Sequence, residues 1–232
     1  MAIELRRGSE RRTLLGDGVH AWQTFDSQSN GVGFGSLVAL DELHFSPGGG
    51  AIVPSWAEGE IVTVVHRGAL RQADSMGRSA VLYAGEVQRR SSNDGLWCRE
   101  ENASQNNVTL VFRTALLSPE ANRETAYEQT RFTAAERHNR LCAVGSVDGR
   151  RGSLRLRGNA LVLAGVLDAG RHLLYDIPPD SAVWLHVMTG EMRLREFVLS
   201  SGDGAGLTDE RAVALTATRH AELLLVQLPM SG

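Results

Sequence analysis

The chain alternates. Val108, Leu110 and Phe112 take turns with Thr109, Val111 and Arg113, and Leu154 and Leu156 take turns with Ser153, Arg155 and Arg157. Successive side chains on an extended strand point to opposite faces, so a period of two predicts half-buried strands. Short apolar runs rich in Val and Leu recur at 61–65, 160–167, 182–188, 212–216 and 223–228, separated by Gly, Asp and Ser clusters. Many short strands at spacings of roughly 8 to 15 residues predict an all-β sandwich or barrel. Helix is scarce. Thr133-Ala134-Ala135-Glu136 has the form of a capping box and predicts a short connecting helix of about two turns.

A faint repeat runs through the chain. Val65-His66-Arg67-Gly68-Ala69-Leu70-Arg71 reads like Met188-Thr189-Gly190-Glu191-Met192-Arg193 when aligned on the glycine. Each is followed by a Gly-acid pair, Gly85-Glu86 and Gly202-Asp203, and then by a closing apolar strand, 108–112 and 223–228. A glycine hairpin, a Gly-acid turn and a closing strand in each half predict two similar β-domains in tandem.

Composition removes several kinds of chemistry. All 24 basic residues are Arg, so a Schiff-base lysine and a phosphate-gripping P-loop lysine are excluded by residue type. A net charge of −3 gives no support to direct nucleic-acid binding by bulk electrostatics. Two cysteines, Cys98 and Cys142, are too few for a disulfide scaffold or a four-thiolate zinc site. The charged opening residues do not read as a secretory signal, and no apolar run approaches the ~20 residues of a membrane helix. A cytoplasmic protein without membrane contact is expected.

Several short stretches, in order, resemble the pirin-like bicupins of the cupin superfamily. They are Ala21-Trp22-Gln23-Thr24-Phe25, Gly33-Phe34-Gly35-Ser36-Leu37, Arg67-Gly68, Asp74-Ser75-Met76-Gly77 and Ala84-Gly85-Glu86. Tyr127-Glu128-Gln129-Thr130-Arg131-Phe132 and Asp148-Gly149-Arg150-Arg151-Gly152-Ser153-Leu154 continue the series. The resemblance implies two tandem cupin β-sandwich barrels (a bicupin) packed face to face in a monomer, with little helix. The N-terminal barrel is expected over 1–125 and the C-terminal barrel over 126–232.

The resemblance also implies a site. Metal-binding members hold one iron or similar ion in the N-terminal barrel with a His-x-His pair, a later His and a Glu two residues beyond it. Placed without gaps on this chain, those positions fall on Pro54, Trp56, Cys98 and Glu100. Imidazole is missing from three of them, so the expectation is a degenerate site with no metal and no cofactor, the alternative being Fe in the N-terminal barrel. Ligand-pocket candidates are Pro54, Trp56, Glu60, Cys98 and Glu100. Cys98 is the redox candidate, expected to oxidise before Cys142. Trp56 reads as a plug that pairs its N–H with Glu100. Glu60 and Glu100 are weighed as a carboxylate pair for acid–base work against Arg-paired carboxylates. His186, within 182–188, reads as a hydrogen-bonded core or surface histidine. Gly48-Gly49-Gly50 reads as a barrel-rim loop.

The leading functional expectation is a pirin-like, metal-free binding or sensing protein with a decayed N-terminal metal site and a small-molecule ligand in the N-terminal barrel. The alternative implied by the resemblance is a metal-dependent dioxygenase acting on flavonols such as quercetin.

Overall fold

A computed structural model describes residues 2–25, 33–54, 59–91, 97–118 and 126–230. These residues form four sheets. The first seven-stranded sheet runs, edge to edge, β12 (Ala126–Arg131), β9 (Glu86–Ser91), β6 (Gly59–Arg67), β11 (Thr109–Leu117), β4 (Leu37–Phe45), β3 (Val19–Gln23) and β2 (Arg12–Gly16). It is faced by a four-stranded sheet, β5 (Gly50–Pro54), β10 (Trp97–Asn102), β7 (Ala69–Asp74) and β8 (Ser79–Tyr83).

The second half repeats this plan. Its seven-stranded sheet runs β1 (Ala2–Arg6), β20 (Gly204–Thr208), β17 (Ser181–Thr189), β22 (Ala221–Pro229), β15 (Leu161–Leu167), β13 (Leu141–Ser146) and β14 (Leu154–Arg155). The facing sheet is β16 (His172–Asp176), β21 (Ala212–Ala217), β18 (Glu191–Leu194) and β19 (Phe197–Ser200). The two halves are therefore all-β barrels of matching strand order, as the bicupin reading expects. The aligned glycines are equivalent in backbone as well. Gly68 and Gly190 close their hairpins at φ 82° and 86°, and a Cβ would press on Thr109 or on the His220 carbonyl.

One exchange crosses the expected division after residue 125. β12 completes the N-terminal barrel's sheet beside β9, while β1 completes the C-terminal barrel's sheet beside β20. Each barrel thus borrows its outermost strand from the other half's stretch of sequence. The Asp203 carboxylate secures the start of the chain. It accepts from Gly8 N at 2.7 Å, Arg7 Nη1 at 2.9 Å and Ser200 N at 3.0 Å.

The central strands of the seven-stranded sheets, among them β11, β17 and β22, are buried on both faces, which is why β17 and β22 read as near-continuous apolar runs. Between the barrels, Val62, Val64, Phe112 and Leu116 meet Val162, Trp184, Leu224 and Val226 in one core. Trp184 lies fully buried between Phe25 and Phe34, with ring centroids 4.7 and 5.5 Å away. The C-terminal lumen is filled with apolar side chains, including Leu185, Leu194, Leu215 and Leu225. The N-terminal lumen has only a small apolar cluster, Leu43, Phe45, Val65, Leu70, Leu82 and Val111 among its members. The rest of it is polar.

The capping box forms as expected. Thr133 Oγ1 accepts from Glu136 N, and Thr133 N donates to Glu136 Oε2 at 2.7 Å. The helix it starts, α1 (Ala134–Arg137), is one turn instead of two. No helix among the described residues is long and apolar enough to cross a membrane.

Candidate functional site

The polar part of the N-terminal lumen is built by strand parity. Along β10, Cys98, Glu100 and Asn102 are buried, while Trp97 and Arg99 point out to solvent. Cys98 and Glu100, both sequence candidates, therefore enter the same lumen. Pro54 ends β5, its backbone paired with Trp97. The Pro54 side chain and all of Trp56 lie outside the described residues, so the plug and its bond to Glu100 are not part of the described site.

Glu100 is already engaged. Arg113 Nη2, reaching across from β11, donates to Glu100 Oε2, and Gln72 Nε2 on β7 donates to Glu100 Oε1 at 3.0 Å. Gln72 Oε1 in turn accepts from Gln88 Nε2. A buried carboxylate is tolerable only when its charge and lone pairs are met, and this relay meets them. Asp41 stands nearby, hydrogen-bonded to Gln23 and feeling the Arg113 charge. Burial outweighs that charge and pushes Asp41 up to about 6. The residue as a whole is half-buried, but its Oδ1 is sealed from solvent and has no partner among the described residues.

Cys98 lies beside a pocket of about 120 Å³, shared with Gln72, Asp74, Arg78, Arg90 and Tyr127. Its thiol is pushed up, chiefly by burial, with Arg90 opposing and Glu100 reinforcing. Cys98 is 2% exposed whereas Cys142 is half-buried, so accessibility runs opposite to the expected order of oxidation.

Glu60 does not join Glu100. It shares the face of β6 that carries Val62 and Val64 into the core between the barrels. There Glu60 Oε2 accepts from Arg89 Nη1 at 3.0 Å, and Oε1 accepts from Arg157 N at 2.5 Å and Gly158 N at 3.0 Å. The reading of a carboxylate pair for acid–base work is thus corrected. Both carboxylates are Arg-paired, and Glu60 ties one barrel to the other. His186 also departs from expectation. It is fully buried between the barrels, both ring nitrogens lack a hydrogen-bond partner among the described residues, and burial pushes it down to about 3.

Sequence reading missed Arg113, Arg90, Gln72 and Asp41. Arg113 was visible as the partner of Phe112 in the alternation at 108–113. The pattern read as one buried face, whereas both faces of β11 are covered, so the polar-looking face is the lumen.

Two family models match the chain: Pirin over residues 39–114, and the quercetinase C-terminal cupin domain over residues 143–228. A relative named quercetin 2,3-dioxygenase from Escherichia coli (strain K12) is 28% identical over 231 residues, covering 98% of this chain and 99% of that one. A pirin-like protein of Caulobacter vibrioides is 26% identical over 85% of each chain. The crystal structure of YhhW from Escherichia coli superposes with a TM-score of 0.91 at 27% identity, covering 99% of both chains. A second YhhW structure, in complex with nickel(II), gives a TM-score of 0.87 at 26% identity and covers 99% of this chain.

The expectation of no metal and no cofactor in this chain is corrected by the YhhW complex with nickel(II), whose metal is nickel where the alternative expectation was iron. The described lumen of this chain nonetheless fits an ion poorly. Among the described residues no three His, Cys, Asp or Glu side chains come together to hold one. Glu100 is committed to Arg113, and Arg113 and Arg90 bring positive charge to the region a cation would need. No chemical step through a metal is derived from these residues.

Proposed function

Because this chain belongs to the pirin-like bicupins of the cupin superfamily, we propose that it is a binding protein whose N-terminal lumen takes a compact anionic ligand through Arg90. The observation that carries this reading is the setting of Arg90. Arg90 lines the pocket together with Cys98, and no carboxylate among the described residues pairs with it. The one carboxylate among the described residues lining this pocket, Asp74, accepts from the Met76 and Arg78 amides and pairs with the Arg78 side chain. A partly desolvated guanidinium with no paired carboxylate favours an anion, and its planar fork matches a carboxylate. About 120 Å³ suits a small carboxylate, below the ~300 Å³ at which pockets for drug-sized ligands begin.

The test is thermal unfolding with acetate, oxalate or phosphate at constant ionic strength. A ligand at 100 times its Kd stabilises by about 2.7 kcal/mol. For a chain of this size that raises Tm by roughly 5–10 °C. Arg90→Gln should lose the rise. No rise with any of the three anions, or an undiminished one in the variant, overturns the reading.

A second reading, dioxygenase action on a flavonol such as quercetin, is favoured by the name of the 28% identical relative and by nickel(II) in YhhW. Elemental analysis of the purified protein, together with quercetin absorbance in air with nickel(II) or iron(II) supplied, separates the two. About one metal per chain with steady loss of quercetin establishes the second reading and displaces the first.

A further inference from the structure

The C-terminal barrel has an opening of its own. A groove of about 540 Å³ lies against β13 and β15, a size within the ~300–1,000 Å³ that takes small organic ligands. Its apolar floor is Leu161 and Leu163, continuous with the core that fills this barrel. Tyr175 Oη donates to Gln227 Oε1 at one side, leaving the phenol ring as part of the wall.

Three guanidinium groups rim the groove, and they differ in what holds them. Arg140 donates to the backbone carbonyls of Glu136 and Ala135, at 2.9 and 2.8 Å. Arg150 is paired with Asp148 at 3.1 Å. Arg151 has no hydrogen bond or ion pair among the described residues. The one carboxylate lining the groove, Glu136, is taken up by the Thr133 amide and hydroxyl. The rim therefore carries an excess of positive charge over an apolar floor.

The backbone also sets Arg151 apart from the other two arginines of the rim. It adopts φ 53° between Gly149 at 64° and Gly152 at 78°. A left-handed conformation is unfavourable for an arginine and natural for a glycine, so local stability alone favours glycine here. Such strain is a feature of binding and catalytic positions, where a side chain is kept despite its backbone.

We propose that this groove is a second ligand site, taking an organic anion with a flat apolar body and one acidic group. The rings lie on Leu161, Leu163 and Tyr175, and the acid group meets Arg151. The site shares no residue with the N-terminal lumen, so the two proposals stand or fall separately.

The probe is 8-anilinonaphthalene-1-sulfonate, followed by fluorescence with the full chain. Saturable binding of about one molecule per chain is expected, weakened at least tenfold in Arg151→Gly and unchanged in Arg90→Gln. Glycine suits the backbone at this position, so the variant should fold at least as well as the wild type, checked by its Tm. N-phenyl-1-naphthylamine, which has the same rings without the sulfonate, should bind at least tenfold more weakly. Cys142 lines the groove, so saturating probe should slow its alkylation by iodoacetamide several-fold. Equal affinity in Arg151→Gly, equal affinity for the neutral analogue, or unprotected Cys142 overturns the proposal, as does a wild type that does not bind.

Discussion

Across the N-terminal lumen, Arg113 on the seven-stranded sheet donates to Glu100 on the four-stranded sheet, so one buried ion pair joins the two walls of the barrel. Both side chains are almost fully enclosed. Removing one partner leaves an uncompensated buried charge, which costs about 3–5 kcal/mol. Replacing both with apolar groups of similar volume removes the desolvation cost along with the attraction. Arg113→Met and Glu100→Leu should each be strongly destabilised in urea, while the double variant recovers most of the loss. A double variant as weak as the sum of the singles would contradict this.

Asp41 should make the protein less stable as pH rises. Its folded value of about 6 lies above the ordinary 3.8. Below pH 3.8 it is protonated in both states and has no effect. Between 3.8 and 6 the unfolded chain releases the proton and the folded chain keeps it, so stability falls, and it stays lower above 6. At about 1.4 kcal/mol per pH unit the fall is of order 1–3 kcal/mol. Asp41→Asn should match the wild type near pH 3.5 and exceed it at pH 7.5. Parallel urea titrations at the two pH values decide, and an equal difference at both rejects the claim.

His186 bends the profile the other way. Its folded value of about 3 lies below the ordinary 6.5. Stability from keeping it neutral is full above pH 6.5 and drains away as pH falls toward 3. The loss reaches about 3 kcal/mol by pH 4.5. His186→Leu should flatten this acid limb while holding its stability at pH 7, since neither ring nitrogen has a partner among the described residues. An unchanged acid limb in the variant would show that another group causes it.

The two thiols should react in the order set by burial. Iodoacetamide applied to the native protein, with mass mapping, should label Cys142 first. Cys98, enclosed by the lumen, should be labelled only after denaturation. Burial pushes both thiols up, so both reactions are slow at neutral pH. Cys98 reacting first would restore its standing as a redox site.

Asp203 should govern the exchanged strand. Asp203→Ala leaves the Gly8 and Ser200 amides without their acceptor, a cost of about 2–3 kcal/mol. Amide exchange should quicken across β1 and its neighbour β20 before it changes in β12. Asp168→Ala, which removes an exposed carboxylate between His138 and His220, should stay within about 1 kcal/mol of the wild type. Similar losses in both variants would remove the special role given to Asp203.

The sequence by itself determined what depends on neighbours along the chain. Alternation and glycine placement set the strands and hairpins, because a strand's period and a left-handed turn are local backbone properties. The capping box at Thr133 and Glu136 formed because both partners sit three residues apart. The family resemblance rested on the same kind of short, ordered stretches, and it carried the tandem-barrel fold and the entry of Cys98 and Glu100 into one lumen.

Tertiary structure alone decided which covered face each side chain reached. A period of two separates a strand's two sides without saying what lies over either, and in central strands such as β6 and β11 both are buried. That is why Glu60 was grouped with Glu100 although it turns to the other barrel and binds the amides of residues 157 and 158. It is also why Arg113 was not among the site candidates. The exchange of β1 and β12 was hidden for a related reason. An edge strand is chosen by the unpaired backbone it meets in the assembled fold, and for β1 that partner, β20, lies about 200 residues away in the sequence.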